Sequence, residues 1–183
     1  MKYMKSLKTS FWAMTILVIA SNYLVLFPLN DWLTLAAFTY PMTFLVTELT
    51  NRTFGSKKAK KVVYLGFILG LVLSVFLANA KIAIASCSAF LISQLLDIYI
   101  FNFLRKASWW VAPFFASCLA SIVDASIFWT LAFWGESLPI LTWAIGDTFI
   151  KLLIDAAMLT PFRIAIRKVS SIYEPLPASQ TIA

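Results

Sequence analysis

Six ionisable side chains stand inside otherwise apolar stretches of this sequence: Glu48, Asp97, Asp124, Asp147, Lys151 and Asp155. Carboxylates and an ammonium in such surroundings can hold a cation, a proton or a ligand rich in N–H donors. Their spacing argues that they converge. Trp143, Asp147, Lys151 and Asp155 recur at i+4 and share one helix face; Ser117, Ser121 and Asp124 share another. Gln94 and Asp97 are neighbours at i+3, and Glu48 precedes Arg52 by four, the favoured order for a helical ion pair. Neutral Ser or Asn would tie helices together with less desolvation, so a common binding site explains the set better than interhelical glue does. Asp155 fits either reading.

The elements that must position these groups follow from composition. The chain has 183 residues, 61% hydrophobic and 13% charged, with a mean hydropathy of +0.86. A soluble domain is about half apolar and about a quarter charged, so the sequence reads as an integral membrane protein with no room for a soluble domain. A crossing needs about 20 apolar residues. Six transmembrane helices are expected, at about 10–28, 32–51, 62–78, 82–104, 109–133 and 138–165, in one domain over 1–183 with a flexible cytoplasmic tail at 170–183. The period-two alternation of a membrane barrel is absent. The N-terminal apolar run reads as an uncleaved first helix rather than a signal peptide.

Every Lys and Arg except Lys81 and Lys151 falls in the N-terminal tail, the loops after the second and fourth helices, or the C-terminal end. The positive-inside rule therefore places both termini in the cytoplasm and explains the net charge of +7 without nucleic acid. Trp12, Trp109 and Trp110 then mark one interface, and Trp32 and Trp134 the other. The absence of His removes the commonest metal ligand, and no metal or cofactor site is expected. Cys87 and Cys118 lie in apolar segments and read as reduced packing residues.

Pro41 interrupts the second helix among threonines that can satisfy the freed carbonyls. Broken helices at membrane depth line cavities, so Thr39–Arg52, with Tyr40, Thr43 and Thr47, is expected to wall a solute site. Pairing Glu48 with Arg52 and Asp147 with Lys151 would leave Asp97 and Asp124 unpartnered and the site net negative. Tyr40, Phe44, Tyr99, Phe128 and Trp143 lie nearby in sequence. A flat ring rich in N–H donors fits: a carboxylate accepts two adjacent N–H groups while aromatic faces stack on the ring.

The blocks "SNYLVLFPL", "AFTYPMTFLVTELTNRTFG", "QLLDIYIFNFLRK", "SIVDASIFWTLAFW" and "IGDTFIKLLI" together resemble the queuosine precursor transporter family over about residues 21–165. The resemblance implies a six-helix fold similar to the substrate-binding subunits of energy-coupling-factor transporters. It implies import of 7-deazaguanine bases, such as 7-cyano- or 7-aminomethyl-7-deazaguanine or queuine, across a bacterial inner membrane for tRNA queuosine salvage. It carries substrate-binding roles onto Asn22, Glu48, Arg52, Gln94, Asp97, Asp124, Asp147 and Lys151. The family often has Asp at the position of Glu48, and Asp155 stands outside its pattern.

Three rivals stand beside this reading. Asp124 or Asp97 with "AIGDTF" faintly resembles an intramembrane aspartyl protease, but Ala144 and Ile145 precede Gly146, and Lys151 is one turn from Asp147. No catalytic residue is therefore assigned and an enzyme is not expected. A proton-coupled carrier of another small heterocycle or vitamin is the second, and a structural or assembly membrane protein is the third. No Gly-rich loop precedes Lys-Ser/Thr, so energy would come from a separate membrane complex, an ion gradient or intracellular trapping. The partners expected are the base and the lipid bilayer, with an energising complex or a homo-oligomer left open.

Overall fold

The computed structural model describes residues 7–24, 27, 29, 30, 33–77 and 80–169. The expectations for Lys2, Lys5, Asp31, Trp32 and the tail 170–183 lie outside the described residues. The described chain is all-α. Its long helices are α1 (Leu7–Leu24), α3 (Pro41–Phe54), α4 (Ser56–Leu77), α5 (Ala80–Leu104), α6 (Val111–Phe133) and α7 (Ile140–Val169), with a single turn α2 (Ala36–Thr39) ahead of α3. By length and composition α5 and α6 are each able to cross a membrane. The charged residues of α7 and the lysine-rich start of α4 lower the hydropathy of those two.

Several boundaries differ from those read off the sequence, each for a physical reason. The single helix expected over 32–51 is divided, because Pro41 takes the first position of α3. There its missing N–H would have had no intrahelical partner anyway. The threonines do bond back as expected: Thr39 Oγ1 donates to the Ala36 carbonyl at 3.2 Å and Thr43 Oγ1 to the Tyr40 carbonyl at 2.6 Å. The expected basic loop is instead the first turns of α4. Lysine is a good helix former, and Lys57, Lys58, Lys60 and Lys61 are exposed while Ala59, Val62 and Val63 between them are fully buried. Helix α7 continues past 165 and through Pro161.

Only Gly55 separates α3 from α4, at φ 84° and ψ 165°. That region is essentially restricted to glycine. Gly55→Ala is expected to destabilise the fold by about 1–3 kcal/mol, read as a lower unfolding midpoint in detergent, although a Cβ there would meet nothing within 4 Å.

Two apolar clusters hold the bundle. Met14 and Val18 of α1, Val62 and Val63 of α4, and Phe90 and Ile98 of α5 form one. Gly66 permits it: a Cβ there would lie 2.9 Å from Phe90 Cζ and 3.0 Å from Met14 Cγ. Phe101, Ala112, Ala116 and Phe162 form the other, with the Phe101 and Phe162 rings edge-on at 6.2 Å. This second cluster fills the basic end of the bundle. There Arg52 Nη1 donates to the Arg105 carbonyl, Arg105 Nη2 donates to the Asn51 carbonyl, and the Arg163 guanidinium lies 4.5 Å from the Trp109 ring. Partial burial, and then the like charge of Arg52, hold the Arg105 guanidinium below its ordinary pKa. At the opposite end Lys81 pairs with Glu136 at 3.3 Å.

Candidate functional site

Lys151 is the hub of the site. Its Nζ donates to Asp147 Oδ2 at 2.7 Å and to Asp124 Oδ2 at 2.9 Å. All three residues are buried, at 6, 7 and 3% exposure for Lys151, Asp147 and Asp124. Helix α7 supplies Asp147 and Lys151 one turn apart, and α6 brings Asp124 across. Asp124 Oδ1 accepts from Tyr40 Oη at 3.0 Å and Ser93 Oγ at 3.3 Å, so α2–α3 and α5 reach the same carboxylate. Trp129 Nε1 donates to Asp147 Oδ2 at 3.2 Å. The Lys151 ammonium also lies 5.5 Å from the centre of the Tyr40 ring.

These groups face space. A cavity of about 110 Å³ is lined by Tyr40, Ser86, Asp124, Phe128, Trp129, Asp147 and Lys151 among others. A second, more apolar cavity of about 100 Å³ has Asn22, Tyr40, Thr43, Gly66, Phe90 and Phe128 in its wall. Tyr40, Ser86 and Phe128 line both, so the two cavities of this chamber are neighbours with Tyr40 in a shared wall. Trp129 is stacked on Phe133 at 5.2 Å and meets Trp143 edge-on at 5.5 Å, which stiffens the aromatic wall. Asn22 is held by the Val18 carbonyl, to which its Nδ2 donates at 2.9 Å.

Below the chamber lies a layer of neutral polar groups. Gln94 Nε2 donates to Thr43 Oγ1 at 2.7 Å and Thr47 Oγ1 donates to Gln94 Oε1 at 2.5 Å, all fully buried. Beyond it sits a separate acidic group. Glu48 and Asp97 stand carboxyl to carboxyl and Asp155 acts electrostatically on both. All three are at most 3% exposed.

The structure thus divides the expected site. Asn22, Tyr40, Thr43, Asp124, Asp147 and Lys151 reach the chamber; Thr47 and Gln94 do not line it but are tied to its wall through Thr43; Glu48 and Asp97 do not line it. The Glu48–Arg52 pair is not formed. Glu48 points into the bundle beside Asp97, and Arg52 turns out to the surface at the end of α3. Among the described residues the ion pairs are Lys81–Glu136, Lys151–Asp124 and Lys151–Asp147. Asp124, expected to be unpartnered, shares Lys151. Tyr99 is 69% exposed and walls nothing. Sequence reasoning missed Trp129 and Ser93. The signal for Trp129 was its indole N–H in an apolar run, which must find an acceptor when buried. Ser93, next to Gln94, carried no signal that separates it from any helix serine.

Comparison with known proteins places the chain. A family model described as "Putative vitamin uptake transporter" matches residues 34–80 and 73–166. Together with the apolar helices this makes the chain a multi-pass membrane protein of the transporter class. A Haemophilus influenzae protein named "Probable queuosine precursor transporter" is 32% identical over 186 residues, covering 79% of each chain. The Escherichia coli "Queuosine precursor transporter" is 32% identical over 143 residues, covering 65% of each. The chain belongs to the queuosine precursor transporter family. No solved structure matches it.

Proposed function

We propose that this protein imports queuosine precursors, 7-deazaguanine bases such as 7-cyano- or 7-aminomethyl-7-deazaguanine, for tRNA queuosine salvage. The observation that carries the reading is the Asp124–Lys151–Asp147 trio on a chamber walled by Tyr40, Phe128 and Trp129. The amino and ring N–H groups of a guanine-like edge are two adjacent donors that match one carboxylate, and the flat bicycle matches the aromatic wall. Asp147 positions the ammonium and the Trp129 indole through Oδ2; Asp124, whose Oδ1 is freed when Tyr40 turns away, is the residue that meets the base. Tyr40 must rotate off Asp124 for the two cavities to join and admit a bicyclic ring.

Six long helices spanning the bacterial inner membrane, both termini cytoplasmic, agree with the gathering of Arg52, Arg105 and Arg163 at one end of the bundle. In that orientation the chamber lies toward the outside and the Phe101–Phe162 cluster closes the cytoplasmic end, the resting state of an importer. A likeness to energy-coupling-factor substrate-binding subunits goes with the same arrangement. A carrier rather than an enzyme is supported by Lys151: it sits between Asp124 and Asp147, where a paired-acid protease would share a proton. No cofactor enters the mechanism.

The test is uptake of labelled 7-cyano-7-deazaguanine into vesicles. Asp124→Asn is expected to reduce it at least tenfold, about 1.4 kcal/mol or more of lost recognition, with folded protein retained, because an amide of the same shape can accept from Lys151 through its oxygen and donate to the Tyr40 and Ser93 hydroxyls. Normal uptake by Asp124→Asn would remove Asp124 from the site.

A further inference from the structure

We propose that Glu48, Asp97 and Asp155 form a proton-binding site, separate from the solute chamber, whose occupancy is coupled to import. The coupling rests on the carrier reading above; the site itself does not.

The three carboxyls lie on three helices, α3, α5 and α7, and are 3, 0 and 2% exposed. Among the described residues neither oxygen of Asp97 has a hydrogen-bond donor, and Glu48 Oε1 and Asp155 Oδ1 have none. The one donor the group receives among the described residues is the Ser121 hydroxyl, 2.7 Å from Asp155 Oδ2. A buried, uncompensated carboxylate is strongly disfavoured, and neighbouring carboxylates in a low dielectric cannot all be charged. Something positive must be taken up among them. The contrast with Asp124 and Asp147 is the argument: those two have an ammonium at 2.9 and 2.7 Å.

Among the described residues no cation is shown in contact with the three carboxyls: Lys8 of α1 and Arg163 and Arg167 of α7 are exposed, and Lys151 acts on Asp155 only from a distance. On α7, Lys151 is one turn from Asp155, but its Nζ is engaged by Asp124 and Asp147. On α6 the facing groups are Ser121, the Cys118 thiol and Asp124, none of them cationic. On α3, Arg52 faces the Arg105 carbonyl, and Arg105, beyond the end of α5, faces the Asn51 and Arg52 carbonyls. On α4, which packs against α3 and α5, Lys57, Lys58, Lys60 and Lys61 are exposed. A metal ion suits the trio less than a proton does: among the described residues no group of three His, Cys, Asp or Glu side chains is arranged to hold one.

Two links join this site to the chamber. Helix α7 carries Asp155 one turn, about 5.4 Å, beyond Lys151, so charge gained or lost at Asp155 is felt at the ammonium that organises the chamber. On α3, Thr47 beside Glu48 bonds Gln94, and Gln94 bonds Thr43 in the chamber wall.

Two measurements decide it. In detergent, pH-difference infrared spectra of the purified protein are expected to show a protonated-carboxyl C=O band that titrates, and that is lost or shifted in both Asp97→Asn and Glu48→Gln. In proteoliposomes, an acid-outside gradient is expected to accelerate uptake of labelled 7-cyano-7-deazaguanine, a protonophore to remove the acceleration, and Asp97→Asn to abolish the response to the gradient. A band unchanged in both variants overturns the site. Uptake driven by a sodium gradient, or indifferent to any gradient, overturns the coupling. Wild-type protein that neither takes up nor exchanges the base would refute the carrier reading while the infrared result still decides the proton site.

Discussion

Lys151→Met is expected to abolish uptake and to remove most of the folded protein. The ammonium holds two carboxylates at 2.9 and 2.7 Å in a place where none of the three is more than 7% exposed. Removing one partner of a buried ionic group leaves the remainder uncompensated, at about 3–5 kcal/mol. That is a large part of the about 5–15 kcal/mol by which a typical domain is stable. The loss of charge separates from the loss of packing in a second variant: Lys151→Met combined with Asp124→Asn and Asp147→Asn takes the like charges away as well. It is expected to recover folded protein, because a neutral group of the same shape replaces each carboxylate, and to remain inactive, because no carboxylate is left for the base. The checks are the yield of monodisperse protein, the thermal midpoint in detergent and vesicle uptake. A Lys151→Met protein as stable and active as the original would show that the ion trio is neither the keystone of the chamber nor part of its function.

The second large effect is expected from Gly66→Val. Position 66 lines the apolar cavity, and a Cβ there already stands 2.9 Å from Phe90 Cζ and 3.0 Å from Met14 Cγ. Met14 is fully buried and Phe90 nearly so, so neither ring nor thioether has free space to retreat into except the cavity itself. Overpacking of this kind costs about 1–3 kcal/mol, and the displaced Phe90 ring would occupy the volume a solute needs. Uptake is therefore expected to fall even in the fraction of protein that folds, as a raised KM for the base. Gly70 is the control on the same helix face. Its nearest neighbour to an added Cβ is Val18 Cγ1 at 3.8 Å, an ordinary contact. Gly70→Ala is expected to leave uptake near normal and to add roughly 0.5–1 kcal/mol of helix stability. Normal uptake by folded Gly66→Val protein would show that the apolar cavity takes no part in transport.

Much of this protein is legible without coordinates. An apolar chain interrupted by a few charges can satisfy its backbone only as helices, and the i+4 recurrence of Asp147, Lys151 and Asp155 puts them on one face whatever the fold. The pattern also marked Asp124 and Tyr40 as chemistry in the wrong solvent. What it could not say is which charges meet. Glu48 and Arg52 have the spacing of an ion pair, yet they part, because the turn between α3 and α4 brings Arg52 to the surface beside Arg105 while Glu48 lies on the buried face of α3. Asp147 and Asp155 are each one turn from Lys151, and local spacing treats them alike. Tertiary packing separates them: α6 brings Asp124 up to Lys151 on one side and Ser121 to Asp155 on the other, and α3 and α5 add Glu48 and Asp97 to the second group. One stripe of charge thus becomes two sites, one compensated within the protein and one left wanting a proton. Periodicity along a helix sets which residues share a face. Only the relative rotation and depth of neighbouring helices, fixed by contacts such as Gly66 against Met14 and Phe90, set what that face touches.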